Sequence, residues 1–114
     1  MERYFLGIDI GTFASRGILI DESFRVTADA SVPHGMDNPQ PGWFEQDAEA
    51  VWWGDLCKLC RTLIKQSGIR PEQIACVGTS ILGTDCLPVD EQCRPLRPAI
   101  LYGCLLYTSP SPRD

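Results

Sequence analysis

The sequence predicts an α/β fold built on a mixed β-sheet, and three observations predict it. Short apolar runs separated by turn residues fill the first third of the 114-residue chain, as is typical of successive hairpin strands. A stretch of about 20 residues then repeats apolar side chains at three- and four-residue spacing, which indicates a helix. A further apolar run follows the helix and favours a strand that is parallel to its neighbour.

Composition limits the class of protein. The length suits one domain, and an apolar content of 44% is that of a globular chain. A net charge of −5 provides no basic field, so we expect neither nucleic acid nor a membrane surface as a partner. No apolar run approaches the roughly 18 residues of a membrane span, and the first residues lead directly into a strand instead of a secretory leader. We therefore expect a cytoplasmic protein.

Three successive strands open the chain. The alternation of apolar and polar residues predicts strands over 4–10, 16–21 and 24–32. Asp21, Glu22 and Ser23 supply the turn between the second strand and the third.

The turn between the first two strands carries the chemistry. It offers backbone N–H groups at Gly11, the hydroxyl of Thr12 and the guanidinium of Arg16, with the carboxylate of Asp9 on the strand before it. These groups suit a nucleotide phosphate with a hydrated Mg²⁺ held by Asp9. The turn is not a P-loop, because no Gly-Lys-Ser/Thr follows. An ordinary glycine turn stays open as an alternative, but an Asp between two isoleucines disfavours a strand and would be costly if buried without a partner.

The helix is predicted over about 20 residues after a loop at 33–42 and the segment 42–47. Asp47 is the expected N-cap, Glu49 is favourable in the first turn, and Gly68 ends the helix. The apolar face is formed by Ala48, Val51, Trp52, Leu56, Leu59, Cys60, Leu63 and Ile64.

The remaining segments predict strands and a tail. Residues 74–78 read as a short buried strand, and 86–89 and 99–102 as strands joined by a turn at 90–92. The last ten residues, 105–114, show no clear period and contain prolines. We expect them to be a non-native or disordered tail after a partial domain at 1–104.

Six cysteines, at positions 57, 60, 76, 86, 93 and 104, are interpreted as buried, reduced thiols, because no set of ligands with zinc spacing accompanies them.

Other conspicuous side chains are given structural interpretations. Trp52 is expected in the core, Glu45 is expected to be a charge in the first helical turn, and His34 is expected to be solvated in its loop. Arg94 and Arg97 are expected to cap or pair locally.

Four segments together resemble one enzyme family. They are GIDIGTFASRG at 7–17, GWFEQD at 42–47, VGTS at 77–80 and LPVDEQCRPLRPAILY at 87–102. In this order and spacing they resemble the N-terminal part of the FGGY carbohydrate kinases over about residues 4–103.

The resemblance implies an RNase H-like, actin-like ATPase domain, here truncated, from a protein that binds ATP and a sugar between two such domains. By this resemblance Asp9 organises Mg²⁺, Gly11 and Thr12 face the γ-phosphate, and Arg16 steadies the same charge. The implied reaction is phosphorylation of a sugar or polyol hydroxyl by ATP.

The resemblance also implies a substrate loop at 78–85, in which Ser80, Thr84 and Asp85 are the candidate ligands of the sugar. Leu82-Gly83-Thr84 replaces the Gln-Met-His usual in xylulokinases, which leaves the identity of the sugar open.

Two further features of the family are absent from this sequence. Cys104-Leu105-Leu106 replaces the family's Asp-x-Arg, and the catalytic base, an Asp, is expected beyond residue 114. We therefore expect an N-terminal fragment that is inactive alone, with a homodimer as one possible state of the full-length protein.

Two alternatives stay open. One is another actin-like ATPase of the acyl-CoA dehydratase activator type, which would bridge an iron–sulfur cluster with cysteines. The other is a nucleotide-binding module without catalysis.

Overall fold

The computed structural model of the chain describes residues 1–104. A four-stranded sheet forms most of it, with the spatial order β3-β2-β1-β5, and a two-stranded sheet pairs β4 with β6. The strands are β1 (Tyr4–Ile10), β2 (Ala14–Ile20), β3 (Val26–Pro33), β4 (Glu45–Gln46), β5 (Ile74–Ile81) and β6 (Ala99–Ile100).

The larger sheet is mixed, as predicted. β1, β2 and β3 are antiparallel hairpin strands, and β5 joins the free edge of β1 in parallel. β2 begins two residues earlier than expected, so Arg16 lies within the strand and not in the turn. The turn itself is therefore only residues 11–13.

The predicted helix is confirmed at both ends. Asp47 caps it by accepting the N–H groups of Glu49 and Ala50, at 3.0 and 2.9 Å. One π-helical turn (Ala48–Trp53) leads into the α-helix α1 (Gly54–Ser67). Gly68 ends α1 with a φ of +72°, a conformation that glycine adopts without the steric cost of a Cβ.

The core lies between α1 and one face of the sheet. Its buried side chains come from alternate positions of the strands and from consecutive turns of α1, as the two periods require. Gly17 permits this close approach, because a Cβ there would lie 2.8 Å from Cδ1 of Leu63. The fully or nearly fully buried members are Leu6, Ile8, Ile10, Leu19, Ala28, Leu59 and Leu63, with Trp52 packed against them as predicted.

Only one face of the sheet is covered within residues 1–104, and α1 is the single α-helix described there. The prediction of a buried strand after the helix is wrong: β5 is longer than expected and largely exposed. Even Val77 and Ile81, which pair with the buried Leu6 and Ile10, are exposed, because α1 packs mainly against β2 and β3. The apolar sequence of β5 is typical of a strand covered on both sides.

The cysteines correct a second prediction. Cys76, Cys86 and Cys93 are exposed, whereas Cys57 and Cys60 are half-buried on α1. All five are free thiols, and burial raises the pKa of Cys60. Cys76 is exposed because it lies on β5, the uncovered edge of the sheet.

The structure differs from the two strands predicted at 86–89 and 99–102, because only part of the second forms a strand of the smaller sheet. Residues 86–89 form only single bridges, and of 99–102 only β6 is a strand. β6 pairs with β4, where Glu45 is buried in an ion pair with Arg97. Glu45 is thus not a charge of the first helical turn, and Arg97 pairs with a distant residue. Arg94 does pair locally, with Asp90 at 3.0 Å.

No helix within residues 1–104 has the length and apolar character needed to cross a lipid bilayer.

Candidate functional site

A row of polar side chains crosses the uncovered face of the sheet. Asp9 on β1 lies opposite Arg16 on β2 and Ser80 on β5, and Arg16 lies opposite Ser31 on β3. Residues paired across neighbouring strands point to the same face. The sheet therefore brings three predicted site residues, Asp9, Arg16 and Ser80, into one line.

These side chains line a shallow depression of about 700 Å³. Asp9 is exposed, and it has no hydrogen-bond or ion-pair partner in the described chain, although Arg16 is its cross-strand neighbour. Because Asp9 is exposed, its unpaired carboxylate does not incur the free-energy cost of a buried charge. An exposed carboxylate beside an exposed guanidinium can instead contact a cation and an anion of one ligand.

The β1–β2 turn directs its carbonyl groups into the protein. The carbonyl of Gly11 accepts from His34 Nε2 at 2.6 Å, and that of Thr12 accepts from Gln46 Nε2 at 3.1 Å. The carbonyl of Phe13 accepts the backbone N–H of His34 at 2.8 Å. All three carbonyls of the turn are therefore hydrogen-bonded to the segment that precedes the helix.

The N–H groups of the same turn behave differently. The N–H of Gly11 donates to the carbonyl of Ala14 at 2.9 Å and so is not available to a phosphate. Those of Thr12 and Phe13 have no partner among residues 1–104. In a trans peptide the carbonyl and the following N–H point in opposite directions. Fixing two carbonyls inward therefore turns two N–H groups outward, which is the arrangement of an anion-binding turn.

A second layer of side chains holds these donors. His34 Nδ1 lies 2.9 Å from Asp55 Oδ2, and the same oxygen accepts the hydroxyl of Ser15 at 2.7 Å. Trp52 Nε1 donates to Gln46 Oε1 at 2.9 Å. The prediction that His34 is solvated is wrong, because its side chain is only 8% exposed and its two ring nitrogens are both engaged.

The other predicted sugar ligands lie away from this row. Thr84 donates to the carbonyl of Gly83 at 2.7 Å, and Asp85 Oδ1 accepts the N–H of Tyr102 at 2.9 Å. Asp85 Oδ2 is buried and unpaired within the described residues. Burial raises the pKa of this carboxyl, and the Tyr102 hydrogen bond opposes the rise. Neither Thr84 nor Asp85 lines the depression that contains Asp9.

Sequence reasoning missed three residues of the site: His34, Gln46 and Asp55. No local pattern marks them, because each has a partner that is more than 20 residues away along the chain. Gln46 does lie in the GWFEQD segment, and this was the one available signal.

The residues at this site could hold a metal ion only if a bound nucleotide and water supplied the other ligands of the ion. Residues 1–104 contain no group of three or more His, Cys, Asp or Glu side chains placed to hold an ion. Mg²⁺ in nucleotide sites is commonly held by one or two carboxylates, water and the phosphates themselves. Asp9, exposed and unpaired, matches that smaller requirement.

The fold is that of the actin-like ATPases, here represented by part of one domain. The chain superposes on a xylulose kinase from Rhodospirillum rubrum with a TM-score of 0.78 and 26% identity, covering 90% of this chain and 21% of that one. It superposes on a Plasmodium falciparum glycerol kinase solved with ADP with a TM-score of 0.74 and 23% identity, covering 88% of this chain and 20% of that one.

The family follows from the sequence comparison. Residues 4–107 match the FGGY family of carbohydrate kinases, N-terminal domain, and the chain belongs to this family. A glycerol kinase from Nostoc sp. is 35% identical over 100 residues, which is 87% of this chain and 20% of that protein. The chain thus spans about a fifth of the length of the curated relatives it matches.

The dehydratase-activator alternative is not favoured. An activator of 2-hydroxyisocaproyl-CoA dehydratase from Clostridium difficile superposes with a TM-score of 0.51 and 15% identity, covering 84% of this chain and 44% of that one. Identity this low indicates a related fold alone.

Proposed function

We propose that the full-length protein that carries this chain transfers the γ-phosphoryl group of ATP to a hydroxyl of a sugar or polyol. The observation that carries the proposal is the β1–β2 turn, in which Thr12 and Phe13 present unpaired N–H groups beside the row of Asp9 and Arg16. Membership in the FGGY family supports the same reaction.

The proposed roles follow from charge. The N–H groups of the turn and the guanidinium of Arg16 bind and orient the phosphate tail of the nucleotide. Gly11 contributes the bend, since its own N–H is used within the turn. Phosphoryl transfer depends mostly on such positioning and neutralisation of charge. The new bond joins the sugar oxygen to the γ-phosphorus, ADP leaves, and the hydroxyl proton passes to a base expected outside this chain.

Asp9 is the residue that would hold Mg²⁺, through its exposed and unpaired carboxylate. The ion would neutralise negative charge on the phosphate oxygens of ATP. No other carboxylate of the described residues lies in register with Asp9 on β2 or β5.

For the sugar we propose contacts from Ser80, Thr84 and Asp85. Ser80 is the member of this set that lies in the same row as Asp9. Asp85 Oδ2 is buried and has no partner among the described residues, so this carboxyl keeps one unused hydrogen-bonding site. The departure of Leu82-Gly83-Thr84 from the xylulokinase pattern leaves the choice among pentuloses, glycerol and sugar acids to experiment.

The decisive experiment uses the full-length gene product with Mg-ATP and a panel of glycerol, xylulose, ribulose and gluconate. We expect one of them to be phosphorylated, and Asp9→Ala to reduce turnover far more than it weakens sugar binding. A full-length protein with no affinity for Mg-ATP would refute the proposal. Nucleotide binding without phosphorylation of any polyol would favour a non-catalytic binding module.

We infer that the 114-residue chain is inactive alone, because it spans about a fifth of the length of the kinases it matches. Its cytoplasmic location and a homodimer of the full-length protein stay predictions, as does the domain boundary at residue 104.

A further inference from the structure

We propose that His34 and Gln46 are positioning residues that orient two peptide planes of the β1–β2 turn. Asp55 and Trp52 in turn hold the side chains of His34 and Gln46 in place. The inference rests on the proposed function, since it assigns these residues to the same nucleotide site. None of the four lines the depression that contains Asp9. Their effect on a phosphate would therefore pass through the backbone of Gly11 and Thr12.

Each donor fixes one peptide plane. His34 Nε2 fixes the Gly11–Thr12 peptide through the Gly11 carbonyl, and Gln46 Nε2 fixes the Thr12–Phe13 peptide through the Thr12 carbonyl. Rotation of either plane by half a turn would replace an outward N–H by an outward carbonyl. A carbonyl oxygen repels a phosphate, whereas the N–H binds it. The two side chains thus decide the sign of the partial charge that the turn presents.

The donors are themselves constrained. The ring of His34 is held at both nitrogens: Nε2 donates to the carbonyl of Gly11, which can only accept, and Nδ1 lies 2.9 Å from Asp55 Oδ2. Asp55 is buried and also accepts the Ser15 hydroxyl. An interaction that locks the rotamer of a donor reduces the freedom of the group it binds.

The side-chain amide of Gln46 is also held in one orientation by its hydrogen bonds. Its Oε1 accepts the indole N–H of Trp52 at 2.9 Å, which assigns the amide so that Nε2 faces two carbonyls, those of Thr12 and Gly35. Gln46 is 1% exposed, so water does not replace it. The side chain therefore acts as a donor and cannot exchange its two ends without losing all three contacts.

The test uses substitutions that keep shape and remove the donor. Gln46→Glu retains the acceptor for Trp52 but places an oxygen against the carbonyl of Thr12. His34→Leu removes the donor to the carbonyl of Gly11, whereas His34→Gln can retain a donor there. Gln66→Glu, an exposed change of the same charge on α1, is the matched control.

All variants are made in the full-length protein and compared for Mg-ATP affinity by calorimetry, for KM of ATP and of sugar, and for thermal unfolding. We expect Gln46→Glu and His34→Leu to weaken Mg-ATP binding about tenfold, the effect of one hydrogen bond. KM for the sugar should be unchanged, His34→Gln should recover part of the affinity, and Gln66→Glu should match the wild type.

Two results would overturn the inference. One is an unchanged Mg-ATP affinity in folded variants. The other is an equal loss of sugar and nucleotide affinity, which would indicate general destabilisation. The amide ¹H and ¹⁵N chemical shifts and the backbone order parameters of Thr12 and Phe13 give a readout without nucleotide, and both should change in Gln46→Glu and His34→Leu. If the wild type binds no nucleotide, the proposed function fails, and unchanged amide shifts and order parameters alone would then refute the orienting role.

Discussion

Two turns of the same sheet are held in opposite ways. The β2–β3 turn at 21–25 is closed by its own residues: Asp21 Oδ1 accepts the N–H groups of Ser23 and Arg25, at 2.8 and 3.0 Å. The guanidinium of Arg25 also approaches the Asp21 carboxylate, at 3.3 Å. The β1–β2 turn at 11–13 depends instead on donors from residues 34 and 46.

A second turn of the same kind as the β2–β3 turn supports the comparison, and we call these two the local turns. Residues 90–94 repeat the Asp-Glu-x-x-Arg pattern of 21–25, and Asp90 accepts the same two N–H groups, at 2.9 Å each. The fourth residue has a φ of 63° in both, at Phe24 and at Cys93. Five residues are therefore sufficient to specify this turn in two different settings.

The contrast has a chemical reason. A turn that only reverses the chain can satisfy its N–H groups with its own carboxylate. A turn that must offer N–H groups to an anion has to leave them free, so its conformation needs support on the carbonyl side. That support comes from His34 and Gln46, which are distant in sequence.

The largest loss of stability is expected when the long-range hydrogen bonds that support the β1–β2 turn are removed. Asp55→Ala would leave His34 and Ser15 without their buried acceptor, and breaking a buried pair in this way costs about 3 kcal/mol. Urea unfolding of the full-length protein would measure the loss. Asp55→Asn, which keeps one acceptor oxygen, should lose less, and a loss below about 1 kcal/mol for Asp55→Ala would mean that the turn is not held from a distance.

A smaller effect with a defined pH dependence is expected at the local turn. Backbone N–H donation from Arg25 lowers the pKa of Asp21 in the folded protein. A lowered folded pKa contributes stability above the ordinary carboxyl range, and this contribution is lost as the pH falls through the folded pKa. Asp21→Asn should therefore unfold at lower temperature than wild type at neutral pH, and the difference should shrink in acid. Mg-ATP affinity should not change, and a change would remove the distinction between the two turns.

A stabilising change is expected at the fourth position of the local turn. Phe24 is 82% exposed and has a φ of 63°, a conformation that costs residues with a Cβ more than glycine. Phe24→Gly should raise stability by about 0.5–1 kcal/mol in thermal unfolding. Cys93→Gly in the second copy provides the parallel measurement, and opposite signs at the two positions would show that the turns are not equivalent.

The smallest effect is expected from exchanging the local turns. The double change Gln92→Ser with Cys93→Phe converts 90–94 into the sequence of 21–25. Because both turns use the same contacts, stability should change by no more than about 0.5 kcal/mol, as for exposed substitutions. Spectroscopy and unfolding curves that match the wild type would confirm that these five residues act as a unit.

Periodic and local signals predicted much of the fold. The three hairpin strands, the cap at Asp47, the end of the helix at Gly68 and the parallel strand after it are all present. The errors concern burial and long-range pairing: β5 is exposed, and Glu45 belongs to a small strand paired with residues near the end of the described chain. Neither property can be read from neighbours in sequence.

The candidate site, like the fold, was predicted only in part. Its predicted members Asp9, Arg16 and Ser80 do share one row, but Thr84 and Asp85 lie elsewhere. The roles of His34 and Gln46 were missed, because neither a loop histidine nor a glutamine in a two-residue strand has a periodicity that indicates its partner.

The sequence by itself determined the order of the three hairpin strands, the helix and the parallel strand, the two ends of the helix and the family, because periodicity, caps and motifs are properties of adjacent residues. Only the tertiary structure decided which groups of the β1–β2 turn face inward. Hydrogen bonds between residues 11 and 34, and between 12 and 46, depend on how the chain returns through space. The direction of a peptide dipole is set by those contacts and not by the residues on either side of it.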